Sequence, residues 1–417
     1  MVAKPYDWEK GAVLDEHSRR KHKILREYFR QYIATRCQLP QQTKFRLVVV
    51  DGFAGAGRYA CGSPGSPIII IEELQTTLAA LNIRRAAEGL AKLEIQCLLL
   101  LNDADRGALE TLRSNCAPLL AAIKDQAAGL HLEVRFFNDE FEKSYPEIKS
   151  LIAQGRFRNV LFNLDQCGHS QITRDTVRDI MQLTGSAEIF YTFAIQALIT
   201  FLHRRDPKQL AARVQHLGIS ADELSSFDRL MNNSTWLGEA ERMVFETFRT
   251  CAPYVSPFSI HNPDGWRYWL IHLANNYRAR QVYNNVLHDN ATSQAHFGRS
   301  GLNMLSYDPS QDGALYLFDM SGRDAAKAQL IEDIPRMLSE SGDALNVGEF
   351  YESIYNATPA HTDDVHTAII QCEDLEVLTT AGGMRRRPNT IEIGDTIRLK
   401  AQRSFFPMFT PPEKKDE

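Results

Sequence analysis

Four acidic residues, Asp51, Asp103, Asp139 and Asp165, each stand just past a run of apolar or β-forming residues. Carboxylates in that position face the crevice at the carboxyl edge of an open α/β sheet, where such folds bind ligands. The first run is the most informative: Phe45-Arg-Leu-Val-Val-Val-Asp51 leads into a loop with Gly52, Gly55 and Gly57. Glycines let a backbone turn sharply and approach a ligand closely. A dinucleotide fold keeps this turn free of acid, so that a pyrophosphate can dock on helix amides. Asp51 would repel a phosphate, and the three-then-two glycine spacing departs from the dinucleotide pattern. A cationic ligand suits the loop better, such as the ammonium of S-adenosylmethionine, held by Asp51 and the Gly52, Phe53, Ala54, Gly55 and Gly57 backbone. A tight turn without a ligand is the structural alternative.

The other carboxylates fit the same ligand. Asp103, with Ala104 beside it, follows Ile95–Leu101 and would accept both hydroxyls of a ribose; its plainer role is a helix N-cap. Asp139 follows Leu132–Phe137, where an adenine amine would pass, though an exposed loop acid reads similarly. Asp165 ends Asn159–Leu164 and is the catalytic candidate, placed to accept hydrogen bonds from a target amine. His169 could move a proton near neutral pH or serve as a hydrogen-bonded structural residue. Cys167 stands where cytosine-carbon methyltransferases carry a nucleophile, but lacks the preceding proline; a small buried residue is its plainer reading.

The positioning elements follow from hydrophobic period. Residues 14–36 carry Leu14, Ile24, Leu25, Tyr28, Phe29, Tyr32 and Ile33 on one helical stripe. His17 and Lys21, four apart, read as a solvated face of that helix. Ser66 reads as an N-cap with Pro67 at the first helical position. Strands alternate with helical stretches through Glu188–Ile195, which predicts a parallel, doubly wound sheet. Tyr254–Ile260 and Trp266–Leu273 flank Asn262-Pro-Asp-Gly265 and predict an antiparallel hairpin. A parallel sheet closed by such a hairpin is the Rossmann-like sheet of class I methyltransferases. Residues 197–250, with Arg204, Arg205, Lys208, Arg213 and a Ser220/Glu223 capping box, read as a helical insertion forming a lid.

The division predicted is a methyltransferase-like domain over 1–320, a second domain over 321–410 and a disordered tail over 411–417. Ser321, Asn346 and Thr362 read as N-caps of three helices, followed by a hairpin over Thr390–Ile393 and Thr396–Leu399. That order predicts a winged helix. Arg385, Arg386 and Arg387 suit phosphate contacts, with a solvated hairpin tip as the alternative.

Composition narrows the classes. The chain has 417 residues, 44% hydrophobic and 24% charged, with a net charge of -5. It is large enough for two domains and has no global basic field, so nucleic acid must be met by a local patch. No apolar run is long enough to span a membrane, and the start lacks a signal-peptide pattern. Seven cysteines without a Cys-x-x-Cys pair argue against a zinc site or a disulfide framework. The expectation is a cytoplasmic protein without a metal or a membrane partner.

Asp51-Gly-Phe-Ala-Gly-Ala-Gly-Arg-Tyr59, Gly65-Ser-Pro-Ile68, His17-Ser-x-x-Lys21-His-x-Ile-Leu25 and the late winged-helix pattern resemble the three-Cys-motif partner family. The resemblance covers most of the chain and is most specific at the glycine loop. It implies a methyltransferase-type domain and a neighbouring three-cysteine protein as a partner. In that family the fourth strand tends to end Asp-Pro-aromatic-Gly, whereas this chain has Asp165-Gln-Cys-Gly168. Two functions follow: a S-adenosylmethionine-dependent methyltransferase acting on a base amine of nucleic acid, or a non-catalytic binding subunit on the same fold. A nicotinamide enzyme is disfavoured by Asp51 and the glycine spacing.

Overall fold

The computed structural model describes residues 8, 11–126, 128–195, 215–219, 244–256, 258–261, 267–290, 294–297, 301–302 and 315–400. Five parallel strands form the centre: β1 (Lys44–Asp51), β2 (Glu94–Asn102), β3 (Leu130–Phe137), β4 (Asn159–Leu164) and β5 (Ser186–Phe193). They lie in the order β3-β2-β1-β4-β5, so the direction of winding reverses between β1 and β4. Helices α2 (Ser66–Ala87), α3 (Arg106–Gln126), α4 (Phe141–Gln154) and α5 (Arg174–Gln182) connect them, and α1 (Glu16–Arg36) precedes them. Both faces of β1, β2, β4 and β5 are buried, while the edge strand β3 alternates between exposed and half-buried residues. Leu47 and Val49 of β1 pack into one core, Val48 and Val50 into the other. A strand buried on both sides must be apolar at consecutive positions, which is why these runs do not alternate.

Beyond β5 the direction changes. Strand β8 (Arg267–Ala274) pairs antiparallel with β5, and β6 (Tyr254–Ser256) and β7 (Ser259–His261) pair antiparallel with β8. The chain thus has the Rossmann-like sheet of methyltransferase type that the sequence predicts. The predicted Asn262–Gly265 turn lies outside the described residues, as do the tail and most of the 197–250 insertion, including its arginines and capping box. Two strands unforeseen in the sequence, β9 (Gln294–Phe297) and β10 (Leu315–Leu317), extend the sheet further, to the order β10-β9-β7-β8-β5.

Helix α1 crosses the sheet face and is tied to it at both ends by buried ion pairs. Arg36, at its carboxyl end, donates to Glu188 at the start of β5 over 2.9 Å, and the Tyr28 hydroxyl donates to the same carboxylate over 2.5 Å. Burial alone would raise the Glu188 carboxyl, but His272, Arg36 and Tyr28 hold it below the usual range. Lys21, near the amino end, reaches the far edge of the sheet.

Helix α6 (Tyr277–Asp289) follows β8 and carries the C-terminal unit. That unit contains α7 (Met320–Glu340), β11 (Ala344–Asn346), α8 (Val347–Ile354), α9 (Thr362–Gln371), β12 (Leu375–Leu378), β13 (Met384–Arg385) and β14 (Thr396–Leu399). Its strands form an antiparallel sheet in the order β11-β14-β12-β13. The unit docks on α6, where Asn284 donates to Thr358 O over 3.0 Å and Gln281 donates to the Tyr355 hydroxyl over 2.8 Å.

Several local expectations change. The predicted strand Thr390–Ile393 is a 3-10 turn at Pro388–Thr390 followed by a loop, and β14 pairs instead with β11 and β12. Asp319 caps α7 in place of Ser321, accepting from Gly322 N over 2.7 Å. His361 caps α9 in place of Thr362, and Gly65 occupies the cap position of α2 while Ser66 is its first residue. Asn346 caps α8 as predicted, accepting from Gly348 N over 2.8 Å.

Candidate active site

The loop after β1 is stitched to the ends of its neighbours. Gly52 N donates to Asn163 O of β4 and Ala54 N to Asn102 O of β2, each over 2.9 Å. Gly55 N donates to Asp103 Oδ2 over 2.7 Å, and Gly65 N closes the loop on Gly57 O over 2.7 Å. Gly55 and Gly57 have φ of 58° and 78°, a conformation that side chains disfavour. A Cβ on Gly55 would also lie 2.3 Å from the Trp8 ring, and one on Gly57 2.5 Å from Leu112. The Trp8 ring and Leu112 therefore pack directly on the loop backbone.

A cavity of about 680 Å³ opens at the carboxyl ends of β1 to β4, within the size range of small-molecule sites. Of the residues expected to hold a donor, Phe53, Ala54, Gly55, Asp103, Ala104 and Asp139 line it. Asp51, Gly52 and Gly57 are not on the cavity wall. Asp103 accepts from two backbone amides, Gly55 N and Asp105 N at 2.8 Å, and burial raises its carboxyl above the ordinary value. It therefore joins the glycine loop to the start of α3.

Asp51 is fully buried. It accepts from Phe53 N over 3.3 Å, and the nearby Ser66 and Asn163 side chains favour its charged form. Its Oδ2 has no hydrogen-bond partner among the described residues. Burial, opposed by these polar neighbours, raises its carboxyl to about 7. A raised carboxyl means that the folded protein binds a proton the unfolded chain has released. Stability is then greatest below about pH 4 for this group and declines as pH rises to about 7. Asp51→Asn is expected to flatten that part of the profile, read from urea midpoints between pH 4 and 8. An unchanged profile would remove Asp51 as the titrating group.

At the end of β4, Lys21 Nζ lies 2.5 Å from Asp165 Oδ1, with side-chain exposures of 9% and 24%. Lys21 is thus a buried partner of the catalytic candidate and not part of a solvated helix face. His17 is likewise packed, stacked on Tyr268 with ring centroids 4.4 Å apart and its Nδ1 2.9 Å from Asp15. Burial would raise the Asp165 carboxyl, but the Lys21 charge and hydrogen bonds from Lys21 and Thr192 outweigh it and hold the group below its usual range. His22 also lines the cavity; burial, only partly offset by Asp165, lowers it to about 4, so it is neutral near pH 7.

Cys167 lines the cavity and is reached by solvent. Its walls still desolvate the sulfur, and Asp165 raises the thiol further, away from the thiolate a nucleophile needs. The departure at Gln166 has a structural reason. Its side chain is buried, donating to the Tyr191 hydroxyl over 2.7 Å and accepting from Gln171 N over 2.9 Å, which ties the β4 loop to β5. His169 is turned away from the cavity lining, toward Phe193 and His216, with 3.4 Å between ring nitrogens. Among the described residues no cluster of His, Cys, Asp and Glu could hold a metal, and no helix is long and apolar enough to cross a membrane.

The strand order defines an α/β protein with a Rossmann-like sheet of methyltransferase type, with an open cavity at the β1/β4 switch point. No protein-family model and no curated protein matches the chain. Among solved structures, spermidine synthase in complex with the transition-state analogue AdoDATO aligns at 11% identity and a TM-score of 0.28, over 65% of this chain and 63% of that one. Spermidine synthase from Thermotoga maritima aligns at 11% identity and a TM-score of 0.27, over 63% of this chain and 60% of its own. The alignments thus span less than two thirds of either synthase, and the fold assignment rests on the strand order itself.

Proposed function

We propose that this protein transfers a methyl group from S-adenosylmethionine to an amine nitrogen. One observation carries the reading: the same cavity gathers the glycine loop, Asp103 and the ionised Asp165. When bound, the donor supplies a methyl group activated on a sulfonium. The chain's residues fit it, since Phe53, Ala54 and Gly55 of the loop line the cavity together with Asp103. Asn102 also lines the cavity with an Oδ1 that has no partner among the described residues. Asp103 would hold the ribose, with Phe53 and Phe141 flanking the adenine and Asp139 its amine. Asp51 would act on the methionine end through the loop it anchors. Asp165, kept ionised by Lys21, would accept a hydrogen bond from the target amine and orient its lone pair. Titration calorimetry with S-adenosylhomocysteine, with NAD as control, tests the donor assignment; no binding of the former would overturn it.

The catalytic assignment gives a paired expectation. Asp165→Ala should abolish turnover, because Asp165 faces the target amine. Donor affinity should stay within about threefold, since the weakest net hydrogen bonds contribute only about 0.5 kcal/mol. Cys167→Ser should retain activity. A covalent adduct between Cys167 and a fluorinated cytosine substrate would reverse that choice.

A second reading places the amine on a nucleic acid base, and its support is the C-terminal unit read as a winged helix. Arg386 and Arg387 are exposed there. Arg385 differs: it donates to both Asp395 oxygens over 2.8 and 3.2 Å, and Asp395 is 2% exposed. It braces the unit, so two arginines remain for phosphate. Arg386→Ala/Arg387→Ala should then reduce the slope of log affinity against log salt by about 1.5, at 0.7 to 0.9 per phosphate. An unchanged slope, with loss of a co-purifying three-cysteine protein, would move the surface to the binding-subunit reading.

A further inference from the structure

The charge of the donor cavity specifies what else enters it. Among the described residues six carboxylates line the cavity (Asp103, Asp105, Asp139, Glu140, Glu142 and Asp165), and no lysine or arginine does. Among the described residues the ammonium groups bonded to these acids are Lys21, on Asp165, and Lys143, at 3.4 Å from Asp139 and 3.1 Å from Glu140. His22 adds no positive charge near neutral pH. Four negative charges are left after these two lysines.

Part of this acidity has a structural role. Asp105 caps α3 by accepting from Ala108 N over 3.0 Å, and Glu142 accepts from Thr173 N and the Thr176 hydroxyl, each over 2.7 Å. The amino ends of α3 and α4 each present roughly half a positive charge to these acids, which brings the excess to about three. The methyl donor carries a sulfonium, an ammonium and a carboxylate, and its net charge of about one leaves the cavity about two charges negative. Asn102 adds a demand for a hydrogen-bond donor in the same cavity. It is 1% exposed, lines the cavity, and its Oδ1 accepts no hydrogen bond among the described residues.

We infer, resting on the donor reading above, that the acceptor is a small aliphatic amine with two positive charges, one nitrogen of which is methylated. A polyphosphate chain threading this cavity would be repelled by these carboxylates. In the reaction one nitrogen, deprotonated, forms a bond to the methyl carbon. The carbon–sulfur bond breaks with its electron pair passing to sulfur, and the proton released by the nitrogen goes to solvent water. The second nitrogen stays an ammonium and is held by Glu140 and Glu142.

Titration calorimetry on the full chain, with and without saturating S-adenosylhomocysteine, tests this with 1,5-diaminopentane, pentylamine and a twelve-nucleotide single strand as probes. The diamine is expected to bind roughly fivefold to tenfold more tightly than the monoamine, the effect of one added ion pair or two at an accessible site. Glu140→Gln/Glu142→Gln should remove that preference while S-adenosylhomocysteine affinity stays within about twofold. Those amides keep the shape and an acceptor oxygen. Equal binding of monoamine and diamine, an unchanged preference in the double variant, or displacement of the diamine by the oligonucleotide would each overturn the inference. Failure of S-adenosylhomocysteine alone to bind would instead sink the donor reading, with the diamine preference still readable on the free protein.

Discussion

Lys21→Met is expected to destabilise the protein by about 3 kcal/mol and to abolish turnover. Removing one partner of a buried ion pair leaves an uncompensated charge, at a typical cost of about 3–5 kcal/mol. The low end applies because Asp165 keeps 24% of its side chain exposed. The pH dependence separates this cause from a simple packing defect. In the native chain Lys21 holds the Asp165 carboxyl below its ordinary value. That contribution is therefore present above the unfolded pKa near 3.8 and lost as pH falls through the folded one. Without Lys21, burial dominates and raises the carboxyl, so stability should fall as pH rises. The penalty should be largest near neutrality and shrink toward pH 4. Lys21→Met/Asp165→Asn should recover most of the stability, since both charges are gone, and none of the activity. A single-variant penalty independent of pH, read from urea midpoints at pH 4.5 and 7.5, would mean that the pair is not the cause.

Parts of this site were legible in the sequence for a physical reason. Parallel strands buried on both faces must be apolar at consecutive positions, so Val48–Val50, Leu98–Leu101 and Val160–Phe162 announce themselves. The acids after them mark the sheet edge. Lys21 was not legible as a partner because 144 residues separate it from Asp165, and the contact exists only after α1 has crossed the sheet. A signal was nevertheless present. Lys21 precedes Ile24, Leu25 and Tyr28 by three, four and seven positions, which places it on the buried stripe and not opposite to it. A lysine on that stripe requires a buried partner. The hairpin misassignment at Thr390–Ile393 has a different origin. Alternation of Thr, Ile, Glu and Ile mimics a strand, but Pro388 starts a 3-10 turn there. Glu392 N also donates to the buried Asp395 over 2.8 Å and not to a neighbouring strand. Arg385, read as a phosphate contact from composition alone, is claimed by that same aspartate.

The largest effect on ligand binding is expected at Asp103. Its carboxylate accepts from Gly55 N over 2.7 Å and from Asp105 N over 2.8 Å. It thereby fixes the glycine loop relative to the start of α3 and leaves lone pairs for two ribose hydroxyls. Hydrogen bonds to a charged group are worth about 1.5–3 kcal/mol each. Asp103→Ala should therefore weaken S-adenosylhomocysteine by roughly tenfold to a hundredfold or more. Asp103→Asn supplies the control. Its amide oxygen can still accept from one backbone amide, so the loop should stay in place while the ribose loses its charged partner. Asn should therefore fall between aspartate and alanine in affinity, with folding little changed. Adenosine gives the second discrimination. It contains the ribose but lacks the methionine end, so Asp103→Ala should weaken adenosine about as much as S-adenosylhomocysteine. Asp51→Ala, acting through the loop that faces the methionine end, should weaken S-adenosylhomocysteine more than adenosine. Equal losses for both ligands in both variants would mean that the two aspartates act only by holding the loop, and that the ribose is bound elsewhere.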